Sequence, residues 1–195
     1  MATTIVLVRH GETDWNREHR FQGHADVPLN EDGRAQVTEL AEKLAGQRFA
    51  AAYTSPLLRA AESAQILGSR LGLAVHSSDV LGEVDVGSWS GLTVREVEDR
   101  FPEGFRRWID WKVEGWDDGE QYDAFSRRVI GGLLEIAARH PGGQVLAVTH
   151  GGPIRTALAA SLGVPPAELP GRNTVLGNCA VVRIAVQDGV LQPVD

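Results

Sequence analysis

Residues 6–16 read Val-Leu-Val-Arg-His-Gly-Glu-Thr-Asp-Trp-Asn, and they follow Thr4 and Ile5. The apolar, β-branched run from Thr4 to Val8 is typical of a strand buried on both faces. Arg9 and His10 then lie at its carboxyl end, the edge at which ligands bind in open α/β sheets. A guanidinium can bind phosphate oxygens with two N–H groups, and a neutral imidazole can attack phosphorus. The stretch therefore predicts phosphoryl chemistry at this edge.

Four sequence motifs resemble those of the histidine phosphatase superfamily, the phosphoglycerate mutase-like proteins. The first is the stretch quoted above. The others are Thr-Ser-Pro-Leu-Leu-Arg-Ala at 54–60, Leu-Gly-Glu-Val-Asp-Val-Gly-Ser-Trp-Ser-Gly at 81–91 and Thr-His-Gly-Gly-Pro-Ile-Arg at 149–155. They occur in the family's order and span most of the chain, and four matching registers are not expected by chance.

Alternating strand and helix patterns predict an α/β fold, with a largely parallel central sheet flanked by helices on both faces. The resemblance implies the same phosphoglycerate mutase-like three-layer fold. Thr54-Ser55-Pro56 are expected to start the second helix with a hydroxyl cap and a proline, and 178–186 with 190–194 to form a closing C-terminal hairpin. The patterns lie, for strands, at 4–8, 49–53, 74–76 and 144–149, and for helices at 30–46, 57–71, 121–139 and 153–162.

Length and composition predict one domain over residues 1–195. The stretch from about 84 to 120 is expected to be an irregular, lid-like insertion. A formal net charge of −7 disfavours nucleic acid or an anionic membrane as a partner, because either needs an extended basic face. With no signal pattern and no apolar run of membrane-spanning length, a cytoplasmic protein is expected. A homodimer is left open.

The resemblance implies that His10 is the nucleophile and is transiently phosphorylated. Its second ring nitrogen should donate to a backbone carbonyl that fixes the tautomer. Beside a bound phosphate dianion, His150 is expected to act as a cationic donor. In isolation, a solvated helix arginine and a surface amide would be alternative interpretations of Arg59 and Asn16. The predicted phosphate-binding residues are Arg9, Asn16, Arg59, His150 and the backbone N–H of Gly151.

Glu83 is implied to be the proton donor to the leaving group, and it would later activate water. Asp85 is the rival carboxylate, since composition alone does not distinguish the two. No histidines and carboxylates have the spacing of metal ligands, so the predicted reaction uses neither a metal nor another cofactor.

Three differences between this sequence and those of the mutase members of the family favour hydrolysis. Mutases carry an Arg and a Tyr just after the catalytic Glu, where this chain has Val84, Asp85 and Val86. Gly152 stands where mutases usually carry Asn, and the chain is shorter. The prediction is therefore a metal-independent phosphomonoesterase, with a phosphoglycerate mutase as the alternative. A non-catalytic phospho-ligand-binding relative is a third hypothesis, which the presence of His10 disfavours.

A small phosphorylated substrate is the expected partner, and its binding residues are predicted in two places. Gln22 and Gly23 occupy a position where the family often contacts the substrate. Arg106, Arg107 and Trp108, from the aromatic stretch that reaches Trp111 and Trp116, would contact it from the lid. The alternative is that this stretch is a small hydrophobic cluster. Phosphorylated sugars, nucleotides and small organic phosphates suit these residues equally.

Overall fold

A computed structural model describes residues 1–110, 112–170 and 176–194. In these residues six strands form one sheet in the order β3-β2-β4-β1-β5-β6. Strands β1 to β4 run parallel, and β5 runs antiparallel to both β1 and β6. The predicted parallel sheet with a closing hairpin is confirmed. The strands are β1 (Thr3–Arg9), β2 (Ala51–Thr54), β3 (Val75–Ser77), β4 (Gln144–Thr149), β5 (Val181–Gln187) and β6 (Val190–Pro193).

Helices cover both faces of the sheet, as predicted. The α-helices are α1 (Asp14–Arg17), α2 (Glu31–Leu44), α3 (Leu58–Leu71), α4 (Val94–Arg100), α5 (Pro102–Ile109), α6 (Tyr122–Ala138) and α7 (Gly151–Leu162). Helices α2 and α3 pack on one face, and α6 and α7 on the other. None of the helices in the described ranges is long and apolar enough to span a bilayer.

Strand β1 shows why its sequence is continuously apolar. Ile5 and Leu7 point into the cluster formed with α6 and α7. Val6 and Val8 alternate with them and join the cluster formed with α2 and α3. Because successive side chains of a strand face opposite sides, a strand between two helical layers needs apolar residues at every position.

The prediction of irregular structure between Glu83 and Glu120 is wrong for residues 94–109, which form α4 and α5. Thr93 and Glu96 make a capping box at the start of α4, and Pro102 occupies the first turn of α5. Both are helix-start signals that were present in the sequence.

The predicted hydroxyl cap of the second helix is also wrong. Helix α3 begins at Leu58, its N-cap is Leu57, and the Leu58 N–H donates to Oδ1 of Asp26 at 3.2 Å rather than to a hydroxyl of the predicted cap. The Ser55 hydroxyl accepts the Leu57 N–H at 3.2 Å and lies 2.8 Å from Nε2 of His150. Ser55 therefore belongs to the sheet edge rather than to the helix. Strand β5 likewise begins at Val181, three residues later than predicted.

The loop that carries His10 away from β1 lies directly against the start of α2. A Cβ atom at Gly33 would lie 2.1 Å from the Glu12 carbonyl oxygen, and one at Gly11 would lie 2.5 Å from the Gly33 oxygen. Glu12 also accepts the Asn30 backbone N–H at 3.0 Å. Only glycines allow the two backbones to approach this closely.

We predict that Gly33→Ala lowers the free energy of unfolding by about 1–3 kcal/mol, because the added methyl group forces the loop off the helix. Urea unfolding followed by circular dichroism measures the change. Gly131→Ala is the matched control, since a Cβ atom there meets nothing within 4 Å in α6. It should stabilise the protein by up to about 1 kcal/mol. Equal effects of the two substitutions would contradict the assigned packing.

Candidate active site

Two histidines lie side by side at the carboxyl edge of the sheet. His10 follows β1 and His150 follows β4, and the parallel register pairs Arg9 with Thr149. The backbone N–H of His10 donates to the Thr149 carbonyl at 3.0 Å. The centroids of the two imidazole rings are 5.2 Å apart. Both rings are buried. The edge thus brings together the two histidines that the motifs predicted there.

His10 has one tautomer fixed by the backbone. Its Nδ1 lies 2.7 Å from the Gly11 carbonyl oxygen, which can only accept. In the neutral ring the proton therefore sits on Nδ1, and Nε2 keeps a free lone pair. Burial, with the charges of Arg59 and Arg9, holds the pKa of His10 well below its usual value. At neutral pH this leaves an uncharged ring with a nucleophilic Nε2.

His150 is oriented by Ser55, whose hydroxyl lies 2.8 Å from Nε2. The buried Ser55 hydroxyl accepts the Leu57 N–H, and Nε2 is the acceptor that the described residues offer to its own hydrogen, so we infer that the hydroxyl donates to Nε2. The neutral His150 ring then carries its proton on Nδ1. Burial, followed by the charge of Arg59, lowers the pKa of His150 well below the usual value. The cationic form predicted from the sequence therefore requires the negative charge of a substrate beside it.

The two predicted arginines are held by backbone carbonyls. Arg59, 1% exposed, donates from its two terminal nitrogens to the carbonyls of Ala25 and Gly23, each at 2.8 Å. Arg9 donates to the Leu176 carbonyl. Burial lowers the pKa of Arg59 to about 10, so it is still charged at neutral pH. Arg59 is therefore a buried residue of the site and not a solvated helix residue.

Four buried N–H groups have no acceptor within the described ranges: three surround His10, namely Nε of Arg9, Nε of Arg59 and Nδ1 of His150, and the fourth is Nε1 of Trp116, which also lines the cavity. An unpaired buried donor costs about 1–3 kcal/mol, so such groups are rare unless a ligand supplies the acceptors. Two of the three belong to cations. The set fits an anion with several oxygen atoms, and phosphate is such an anion.

Glu83 is the carboxylate that the fold brings to this cavity. Its Oε2 accepts the Gly152 N–H at 3.2 Å, and its Oε1 accepts the Val84 N–H at 3.0 Å. Arg128 holds the loop by donating to the Glu83 carbonyl at 3.2 Å. Asp85, the rival, does not line the cavity, and its Oδ1 accepts the Gly87 N–H.

The cavity over His10 has a volume of about 530 Å³ and includes most of the other predicted residues. Arg106 and Arg107 do not line it, and both are exposed on α5. Their predicted substrate contact is not supported, because Trp108 and Ile109 face the cavity, whereas the turn of about 100° per residue directs the side chains of Arg106 and Arg107 to solvent. Predicted residues that do line the cavity are Asn16, Gln22, Gly23, Trp108 and Gly151.

Asn16 has its amide oriented by the start of α1. Its Oδ1 accepts the Thr13 N–H at 3.1 Å and an amide N–H of Asn178 at 3.2 Å. With the oxygen bonded in this way, the amide presents its Nδ2 donors to a ligand, as phosphate binding would require.

Arg155 lines the cavity and was missed by the sequence analysis. It is about half-buried on α7, and burial lowers its pKa, whereas the charge of Glu83 acts in the opposite direction. Its position four residues after Gly151 was a usable signal, since residues i and i+4 share a helix face. Within the described ranges, no three His, Cys, Asp or Glu side chains are grouped so that they could hold a metal ion.

Comparisons with known proteins agree with this geometry. The sequence model of the histidine phosphatase superfamily (branch 1) matches residues 5–194. Phosphoserine phosphatase 1 of Hydrogenobacter thermophilus is 39% identical over 162 residues, covering 82% of this chain and 76% of the relative. Phosphoglycerate mutase-like protein 4 of Arabidopsis thaliana is 39% identical over 158 residues, covering 78% and 68%. The solved structure of mycobacterial hydrolase 1 superposes with a TM-score of 0.89 at 30% identity, covering 98% and 95%.

We predict that Gly152→Ala lowers kcat for phosphate release by about 10–100-fold, because a Cβ atom there would lie 2.2 Å from Oε1 of Glu83 and displace the carboxylate. Steady-state kinetics on a phosphomonoester measures it. Gly131→Ala is the control, since a Cβ atom there meets nothing within 4 Å and Gly131 does not line the cavity. That variant should keep full activity. Similar losses in both would contradict the role assigned to Gly152.

The pH range in which the His10 ring becomes protonated follows from its surroundings. A ring whose pKa is lowered below 6.5 stays neutral until the pH falls well under that value, so the nucleophile should not protonate between pH 7 and 6. Imidazole ¹⁵N chemical shifts during an acid titration measure this, with His10→Ala to assign the signal. The same spectra should show protonated Nδ1 in both His10 and His150. Titration of His10 at or above 6.5 would contradict the inferred neutral ring.

Proposed function

The chain belongs to branch 1 of the histidine phosphatase superfamily and is a phosphomonoesterase of that family, and on this premise we propose that it acts through a phosphohistidine on His10. The substrate is a small organic phosphomonoester, and no metal ion or cofactor takes part. The observation that carries the proposal is that Nε of Arg9, Nε of Arg59 and Nδ1 of His150, around a neutral His10, have no partner among the residues that the structure describes. They supply donors for the non-bridging phosphate oxygens beside a nucleophile with a free lone pair.

In the first step, Nε2 of His10 attacks phosphorus. The N–P bond forms, the ester P–O bond breaks, and the carboxylic acid of Glu83 gives its proton to the departing alkoxide. The hydrogen bond from Nδ1 to the Gly11 carbonyl stabilises the charge that develops on the ring. The N–H groups of Arg9, Arg59 and His150 bind the oxygen atoms of the transferred phosphoryl group throughout.

In the second step, water attacks the phosphorus of phosphohistidine. The Glu83 carboxylate accepts a proton from that water, the N–P bond breaks, and inorganic phosphate and neutral His10 are released. Gly152 and Val84, whose N–H groups hold the two carboxylate oxygens, keep Glu83 in place for both proton transfers.

The side chains that line the cavity next to Glu83 favour hydrolysis over phosphoryl transfer to a phosphoglycerate. Val84 and Val86 line the cavity where mutases carry an Arg and a Tyr, and Asp85 does not line it. Apolar side chains there cannot bind the carboxylate of a phosphoglycerate. Mutase activity and non-catalytic phosphate binding are the alternatives that the test distinguishes. A cytoplasmic location, a homodimer and a single domain with a lid at about 84–120 stay predictions.

We expect phosphate release from phosphomonoesters to continue in excess chelator and to fall at least about 10³-fold in His10→Ala, because the residual binding groups cannot form the intermediate. The phosphoenzyme should be acid-labile, stable to alkali and absent from His10→Ala. Glu83→Gln should slow alkyl phosphates by about 10²–10⁴-fold and nitrophenyl phosphate less, because nitrophenolate leaves without a proton.

His76→Ala is the matched control, since His76 is exposed on β3 and does not line the cavity. Release that persists in His10→Ala would overturn the proposed nucleophile. Interconversion of phosphoglycerates, primed with bisphosphoglycerate and faster than their hydrolysis, would support the mutase. Phosphate binding without turnover of any ester would support the non-catalytic relative.

A further inference from the structure

The lining of the cavity over His10 consists of polar and apolar side chains. The polar ones lie at the sheet edge, with the phosphate-binding N–H groups, and also include Arg20, Gln22, Tyr122, Arg155 and Thr156. A volume of about 530 Å³ falls among pockets of about 300–1,000 Å³, which bury ligands of drug size. The apolar set, called here the apolar wall, is formed by Phe21, Val84, Trp108, Ile109, Val113 and Trp116. Nε1 of Trp116 is a buried N–H with no acceptor in the described residues.

The apolar wall is supported by packing behind it. Trp108 lies edge-on to Phe21, with ring centroids 5.1 Å apart, and stacks on Phe105 at 5.8 Å. Trp116 packs perpendicular to Trp89 at 5.7 Å. Phe105, Trp89 and Trp116 belong to one buried hydrophobic cluster. Because these packing contacts hold the wall side chains in place, a substrate meets a preformed apolar surface and need not order it.

Charges in the cavity do not suit a zwitterionic leaving group. Among the described residues that line it, Glu83 is the only carboxylate, so the ammonium of phosphoserine would find only the proton donor. Arg20 is paired with Glu18 at 2.5 Å. Arg155 interacts electrostatically with Glu83, so a substrate carboxylate there would compete with it. A charged group against the apolar wall would lose its hydration, and the wall offers it only the indole N–H groups of Trp108 and Trp116.

We infer that the substrates are phosphomonoesters of apolar alcohols, with an alkyl chain or aromatic ring on the ester oxygen, rather than of serine or glycerate. This inference rests on the proposed hydrolysis through His10. The phosphoryl group lies at the sheet edge, and the alcohol lies against the apolar wall. Ile109 is 51% exposed, so a bound apolar group would cover its side chain. Burial of that surface is the source of the selectivity.

The test is a series of ethyl, butyl and hexyl phosphate, used below micelle-forming concentrations. Their alcohols differ little in acidity, so differences in kcat/KM report contact with the chain and not leaving-group chemistry. We expect kcat/KM to rise about fourfold for each buried methylene, which corresponds to about 0.8 kcal/mol per CH₂. Hexyl phosphate should also exceed phosphoserine and 3-phosphoglycerate by at least about tenfold.

Two variants locate the effect. Ile109→Ser and Trp108→Ala should reduce the increase to less than about twofold per methylene, because each removes part of the apolar wall. Ile109→Ser alters an exposed side chain, so it tests the wall even where Trp108→Ala disturbs the fold. Leu162→Ser is the matched control, since Leu162 is an exposed apolar residue that does not line the cavity. It should leave the chain-length dependence unchanged.

The outcomes separate this inference from the proposed function. A flat or falling series, a preference for phosphoserine, or a slope that survives both wall variants would overturn the inference while His10-dependent hydrolysis stands. Turnover that does not depend on His10 would overturn the proposed function, and this inference with it.

Discussion

The parallel pairing of β1 with β4 is the constraint on which the site depends. It places Arg9 opposite Thr149, and the next residue of each strand is a histidine. A slip of one residue would turn every side chain of β1 to the opposite face and move His10 away from His150. The polar end of β1 opposes such a slip, because it would bring Arg9 toward the buried position that Val8 occupies in the cluster with α2 and α3. The geometry of the imidazoles is thus fixed by the core.

The same edge concentrates groups that are costly to bury. Arg9 and Arg59 lose hydration, and each keeps one N–H unpaired within the described ranges. Carbonyls of Gly23 and Ala25 offset part of this cost for Arg59 and tie the loop after α1 to α3. The folded protein therefore has buried N–H donors without hydrogen-bond acceptors at the sheet edge, among the described residues. Binding of an oxyanion satisfies them, which makes the site selective for the phosphoryl group before any leaving group is considered.

Sequence reasoning succeeded where one residue type and its place on a strand sufficed. His10 and His150 follow strands whose middle residues are all apolar, 5–8 in β1 and 145–148 in β4, and a strand buried on both faces lies in the centre of a sheet. Prediction from the sequence failed where the direction of a side chain on a helix decides whether it lines the cavity. Arg106 and Arg107 adjoin Trp108 in sequence, yet only Trp108 faces the cavity. The phase of α5 depends on Phe105, which is buried in a cluster assembled from distant residues. Ser55 was misassigned because its partner, His150, is 95 residues away.

The proton donor and the apolar wall share one segment of backbone. Glu83 is followed directly by Val84, which lines the cavity, and Thr149 binds the Leu81 carbonyl to hold this segment against β4. Helix α5, which carries Trp108, packs on the cluster that also contains Val86. A substitution in the apolar wall that shifted Val84 would therefore also move the Glu83 carboxylate. Phosphate binding is tied to the same segment, because Gly23, whose carbonyl holds Arg59, lies against Val86. Substrate choice and catalysis are therefore coupled. Ile109 lies on α5, outside this segment, so a substitution there alters the first with least effect on the second.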